Sequence, residues 1–490
     1  MARHEPALIE GPRDSYREQL KFLEEGRNTT VTIIERSGSL RLFNDGRPES
    51  GISTSGEPGF GEELSVLASL PTLFARDHGR AMVVGLGAGH SAAVMTGGPW
   101  ERLDVVELED SVVNAARFLY DSREKPFPLD DPRAHLVVDD ARAQLVLAPE
   151  GSYDAVVSQP SHPWLAGSSA LYTEEFFREV DRALRPGGVL ALWTNLFRIH
   201  VRHLRSIVAT LFEVFEHVNA FVAESSSFIL VASHEPIAFD ERFAERVSSP
   251  GLQPFLRPFA LDDIVDFAST LELDSEGARA FSEDAPTVHD DRPVLEIELA
   301  RIPHDQSLRE SDLDYAFAEI PWVAPETVAS VPSDVRVDFF LQRIEYARLR
   351  LRALARLEAS LARADLSESD AQLVRGVLAE TRGDVSAALR PTTAPVATFA
   401  PRIARTVCAR PSGDTASCST TSRRRASDPQ RATRSWPPRS RSRIAKAHAR
   451  SVSPNASGTP RTHHSCRQAE RSPCVTATAS KRQRALTTKR

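Results

Sequence analysis

Cysteine is nearly absent from this chain: four occur among 490 residues, and all of them (Cys408, Cys418, Cys466 and Cys474) lie in the final hundred. The preceding body can therefore carry neither a disulfide framework nor a thiolate metal site. The four spacings, even with His463 and His464 nearby, match no closed zinc site and include no CxxC, so no metal is expected. Long apolar runs are missing too. No stretch reaches the ~18 apolar residues that a membrane-spanning helix requires, and the opening MARHEPALIEGPRDSYREQ lacks the apolar centre of a secretory signal. A cytoplasmic location is the expectation.

Acidic residues are what the end of the chain lacks. From residue 391 onward 21 Lys and Arg stand against 3 Asp and Glu, whereas residues 1–390 carry 39 against 64, so the net charge of −7 conceals an acidic body and a basic tail. The tail is rich in Arg, Ser, Thr, Ala and Pro, has almost no aromatic residues and no sustained periodicity, and so cannot bury enough surface to order itself. Disorder is expected over 391–490. Its clusters RRRAS and RSRSR would attract phosphate, but without interleaved aromatics or a folded motif they argue against a nucleic-acid partner. The abrupt change of character is what out-of-frame translation of a GC-rich gene would produce, and the tail is read as such a product.

What is present is concentrated between Ala81 and Asn195. The strand-like segments AMVVGLGAGH, RLDVVELE, HLVVDDAR, YDAVVSQPSHPW and GGVLALWT follow one another at βα spacing, which predicts a parallel sheet with a nucleotide-type site at its strand ends. Gly85, Gly87 and Gly89 close the first strand, where a missing Cβ lets backbone approach a ligand. Glu107 ends the second strand, 18 residues after Gly89, about the offset at which a carboxylate meets a ribose diol. Asp139 and Asp140 end the third, and Asp140 can accept from an exocyclic amine such as that of adenine. A Rossmann dehydrogenase also fits these glycines, since Ala92 replaces the third glycine permissibly. The fourth strand end, SQPSHPW followed by LYTEEFF, discriminates.

With those residues in hand, the chain resembles the spermidine synthase family of polyamine aminopropyltransferases, in the bacterial branch often fused to membrane segments. The resemblance runs from Glu24 to Arg301 and is carried by GRNTTVTIIERSGSLRLFNDGRPESG, VVGLGAG, DVVELE, VVDDAR, SQPSHPWLAGSSALYTEEFF and HDDRPVLEIELAR. It implies a class I S-adenosylmethionine methyltransferase-like, doubly wound seven-stranded sheet. It also implies transfer of an aminopropyl group from decarboxylated S-adenosylmethionine to a diamine such as putrescine. Homodimerisation and a membrane partner encoded elsewhere are further implications.

The family's D-x-x-D-P run is matched here by Gln159 and His162 ahead of Pro163, and the aspartate of its G-G-G-D-G loop by Ala88. Gln159 can orient an amine but takes no proton, whereas a neutral His162 could act as a base; these two are the catalytic candidates. Fewer carboxylates weaken the preference for the decarboxylated donor. Methyl transfer from S-adenosylmethionine is the alternative activity, and an inactive adenosyl-binding protein the alternative to activity.

Remaining site candidates each have a structural counterpart. Glu62 and Glu63 either face substrate or simply favour the start of a helix. Tyr172, Glu174 and Glu175 either line the amine side or open a helix that Thr173 caps. Trp164 is a pocket wall or core, and Asp290 and Asp291, beside Arg292, are expected in a capping or ion-paired turn. The substrate-side set is Glu63, Tyr172 and Trp164.

Domain boundaries follow from pattern. A β-hairpin element is expected over 1–60, the cofactor domain over 61–235 and the family's C-terminal extension over 236–330. Over 331–390 a helical segment similar to a tetratricopeptide pair, turning at Gly383, precedes the tail.

Overall fold

The computed structural model describes residues 19–383 except 37, 54–60, 123–125, 166, 224–226, 304, 305 and 307. The expectations for residues 391–490 and for their four cysteines, and for a helix following Gly383, lie outside the described residues.

Alternating apolar residues build the first layer. The strands β1 (Gln19–Glu25), β2 (Thr30–Arg36), β3 (Ser39–Asn44) and β4 (Arg47–Ser53) pair in that order, all antiparallel. The expected hairpin is its central pair, β2 with β3, with one further strand on either side. One face carries Val31, Ile33, Leu40, Leu42 and Ile52, which close over Val112, Ala115 and Leu119 of a helix from the following layer. A buried carboxylate secures this seam: Glu109 accepts hydrogen bonds from the backbone N–H groups of Arg27 (2.9 Å) and Asn28 (2.8 Å) and from Asn28 Nδ2 (2.6 Å).

The second layer contains β5 (Arg80–Val84), β6 (Arg102–Glu107), β7 (Ala134–Val138), β8 (Tyr153–Ser158), β9 (Leu184–Asn195), β10 (His217–Ala223), β11 (Ser227–Ser233) and β12 (Leu271–Leu273). Its spatial order is β12-β10-β11-β9-β8-β5-β6-β7. β5, β6, β7, β8 and β9 are mutually parallel where they pair, and β11, β10 and β12 continue antiparallel. The run of valines and alanines in β5 and β8 is buried on both faces, as a helix-covered parallel sheet demands.

The expected seven strands are all present, but the sheet has eight. β12 is a three-residue Leu-Glu-Leu, too short for alternation to register in a sequence.

Helices α1 (Glu62–Phe74), α2 (His90–Gly97), α3 (Asp110–Asp121), α4 (Ala141–Leu147), α5 (Glu174–Ala183) and α6 (Val201–Phe212) flank the sheet. α1 is buried from Leu64 to Leu73, which is why its apolar residues surround it instead of forming a stripe. Thr173 caps α5 as its position suggests, accepting from Phe176 N, and Glu174 and Glu175 fill the first turn.

Beyond β12 the helices Arg336–Tyr346, Leu351–Arg363 and Glu368–Thr381 share the main core with the sheet. Buried Glu272 of β12 joins them, accepting from Arg343 (2.7 Å), Arg350 (3.1 Å) and Arg356 (3.2 Å). The segments separated at residue 330 by sequence pattern therefore pack as one body. Among the described residues no helix is long and apolar enough to cross a membrane.

Candidate functional site

Chain order reverses beside β5: β6 and β7 lie to one side of it, β8 and β9 to the other. Such a reversal opens a crevice beyond the carboxyl ends of the strands, where backbone groups of two diverging loops face a ligand. Gly85, Gly87 and Gly89 sit there with φ of 85°, 51° and 81°. A Cβ on Gly85 would meet only Gln159 O, at 3.7 Å, so its positive φ and not crowding is what calls for glycine there. Gly89 is the left-handed residue that turns the loop into α2.

Glu107 stands at the end of β6, nearly buried at 7% exposure. Its Oε2 accepts from Leu86 N (2.8 Å) and its Oε1 from Glu109 N (3.1 Å), which fixes the carboxylate beneath the glycine loop. Burial pushes its carboxyl up, opposed by those amide hydrogen bonds. Asp139 and Asp140 are exposed at the end of β7. Asp139 accepts from Asp140 N (2.8 Å) and Gln144 Nε2 (2.7 Å), while Asp140 caps α4 through Ala143 N (2.8 Å).

Across the crevice, the β8 end holds the other predicted residues. Gln159 Oε1 accepts from Ser91 Oγ at 2.8 Å. His162 stacks on Trp164, with centroids 4.3 Å apart and planes 9° from parallel, and Trp164 in turn meets Phe197 edge-on. Asn195 Nδ2 donates to His162 Nδ1 at 2.6 Å, so the ring proton resides on Nε2. Burial, with Arg47 and Arg198 adding to it, lowers the His162 pKa to about 4. The imidazole is thus neutral at pH 7, has its free-base nitrogen occupied, and offers an N–H to its surroundings.

Several predicted residues are structural. Tyr172 has no exposed surface and donates its hydroxyl to Trp193 O at 3.0 Å, so it packs beneath the crevice and does not line it. Trp164 is 9% exposed and is likewise mostly core. Glu63 accepts from Ser227 Oγ, and Ser227 accepts from Trp193 Nε1 (3.1 Å), tying α1 to the strand ends of β9 and β11. Glu62 lies in the first turn of α1. Glu174 pairs with Arg178. The backbone N–H of Asp290 donates to Glu175 (3.1 Å), and the Asp290 carboxylate accepts from Thr173 Oγ1 (2.8 Å) and Arg142 Nη2 (2.6 Å). That makes it the ion-paired turn residue its surroundings suggest, with Asp291 and Arg292 exposed beside it.

Sequence reasoning missed β4. This strand crosses above the glycine loop, where Ser50 Oγ accepts from Ala88 N (3.0 Å), and Glu49 Oε2 accepts from Ser161 Oγ (3.0 Å) in the β8 loop. Burial raises the Glu49 carboxyl to about 7; Ser161 and Arg47 oppose the rise and Glu107 adds to it. The only signal for it in the sequence was the RPESG run, which counted there as part of a resemblance. Among the described residues no three His, Cys, Asp or Glu side chains converge on a metal position.

A glycine loop at the reversal point, with a buried acid on the second strand, is the layout of a methyltransferase-like α/β domain. Residues 63–228 match the model of the spermine/spermidine synthase domain. The chain is similar to the spermidine synthase family over that domain. It is 32% identical over 143 residues to putrescine N-methyltransferase 4 of Nicotiana tabacum, covering 28% of this chain and 35% of that one. It is 33% identical over 116 residues to spermidine synthase 2 of Arabidopsis thaliana, covering 24% and 33%. A probable spermidine synthase from Corynebacterium glutamicum aligns with 55% of this chain and 96% of its own, at 22% identity and a TM-score of 0.42. The chain spans about a third of the length of these curated relatives.

Proposed function

We propose that this protein transfers the aminopropyl group of decarboxylated S-adenosylmethionine to a diamine such as putrescine. The observation that carries the reading is the pairing of Glu107 with the glycine loop at the reversal point of a spermine/spermidine synthase domain. The residues present fit an adenosyl group. Gly85, Gly87 and Gly89, all at positive φ, form the loop that would meet the ligand, and Glu107, buried beneath that loop, is the carboxylate for a ribose diol. Asp139 and Asp140, exposed on the third strand, are the acceptors for an adenine amine.

When bound, the sulfonium donor supplies an electrophilic carbon and a neutral thioether leaving group. The protein's part is to bind the amine, to position its nitrogen and to keep that nitrogen unprotonated. Gln159, held by Ser91, and the Nε2–H of His162 border the amine side as polar, uncharged groups.

Methyl transfer from S-adenosylmethionine to the same diamine is a second reading. It is favoured by Ala88 in the glycine loop, at the position of the aspartate in the G-G-G-D-G run, and by the similarity to putrescine N-methyltransferases.

Calorimetric titration of the full chain tests the site. Methylthioadenosine is expected to bind, and Glu107→Ala to weaken it by about tenfold or more, the equivalent of losing one charge-assisted hydrogen-bonding group. Undiminished binding by Glu107→Ala would overturn the site assignment. Tighter binding of S-adenosylhomocysteine than of methylthioadenosine would favour the methyltransferase.

A further inference from the structure

A diamine is cationic at neutral pH, so a displacement by one of its nitrogens needs a carboxylate for binding and an acceptor for one proton. The β8 end provides neither. Gln159 is uncharged and its carbonyl is taken by Ser91; His162 has its basic nitrogen occupied by Asn195. Glu107 is held beneath the glycine loop by backbone amides. One carboxylate reaches the β8 loop from outside the cofactor domain. Glu49 comes from β4, 112 residues before Ser161, and Ser161 Oγ holds its Oε2 at 3.0 Å.

Resting on the functional reading above, we infer that Glu49 is the amine-binding carboxylate and proton acceptor of this site, delivered by the N-terminal sheet to the strand end that lacks one. In the step, Glu49 takes one proton from the attacking ammonium. The freed nitrogen lone pair forms the N–C bond, and the C–S bond breaks with its electron pair retained by sulfur. The product is a secondary ammonium and a neutral thioether, and the proton on Glu49 passes to water. Ser161 acts as a positioning residue for this carboxylate.

The surroundings suit the role. Arg47 on β4 and Glu107 on β6 are the charged groups that act on Glu49, with opposite signs, and Ser161 is its hydrogen-bonded neighbour on the β8 loop. Burial places its titration at about 7, where a general base is half ionised at physiological pH, whereas His162 titrates at about 4. The seam that carries Glu49 is fixed by Glu109 and by Ser50 on Ala88, so the carboxylate is borne by rigid elements.

The test uses the full chain as wild type, Glu49→Gln and Ser161→Ala. Putrescine is titrated calorimetrically in the presence of saturating methylthioadenosine, and turnover with each donor is followed from about pH 5.5 to about 8.5. Glu49→Gln should bind methylthioadenosine as wild type does, which reports an intact fold. It should weaken putrescine about tenfold or more and lower kcat about 10²-fold. It should also abolish the rate increase with pH that wild type shows through about 7. Ser161→Ala should shift that limb while keeping it.

Putrescine binding and a pH limb left unchanged by Glu49→Gln would overturn the proposal while leaving the transferase reading intact, and absence of putrescine binding by wild type would overturn it as well. Glu49-dependent putrescine binding without turnover of either donor would uphold the amine site and defeat the transferase reading.

Discussion

Gly89 shows how a single residue links backbone geometry to the site. Its φ of 81° turns the β5 loop into α2, and a Cβ there would lie 3.2 Å from Tyr120 Cε2. Gly89→Ala should therefore cost about 1–3 kcal/mol of stability by combined strain and crowding, read by urea denaturation. The positions of the glycines and Glu107 were legible in the sequence because they depend on local order: strand, turn, helix, next strand end. Glu49, Glu109 and the His162–Asn195 pair were not, because each acts through a partner from 33 to 112 residues away. Tyr172 belongs with them. Its place beside a site motif suggested a binding role, and only the packing reveals that its hydroxyl is spent on Trp193.

At the scale of elements, legibility tracked burial pattern. β5, β8 and β9 announce themselves by unbroken apolar runs, and β2 and β3 by alternation. β12 does neither, being three residues between helices, and it gains its place by pairing with β10 after the chain has already folded back. The start of α5 was readable from Thr-Glu-Glu. Thr173 both caps that helix and donates to Asp290, so Thr173→Ala should destabilise by about 1–2 kcal/mol, whereas Thr173→Ser should retain most of the stability. Thermal melting of the two variants checks this.

Over the whole molecule, the joint between sheet and C-terminal helices combines a shared apolar core with one buried carboxylate. Burial alone would raise the pKa of Glu272, but Arg343, Arg350 and Arg356 overcome it and hold it at about 2. Its folded value lies below the ordinary 4.5, so its contribution is complete above pH 4.5 and is lost as pH falls through about 2. Glu272→Gln leaves two fully buried guanidiniums without a counter-charge and should cost about 3–5 kcal/mol in chemical denaturation at pH 7. Glu276→Gln, at the exposed partner of Arg363, should cost less than about 1 kcal/mol. The arginine-rich amphipathic helices were visible in the sequence; their shared buried acid was not, since nothing in Leu-Glu-Leu marks its glutamate as interior.

The central claim, alkyl transfer from an adenosyl sulfonium donor to a diamine, is tested most directly by mass spectrometry of the products formed by the full chain with putrescine and decarboxylated S-adenosylmethionine. Spermidine and methylthioadenosine in equal amounts are the predicted result. Their absence, with putrescine recovered unchanged from incubation with either the decarboxylated or the intact donor, would contradict it.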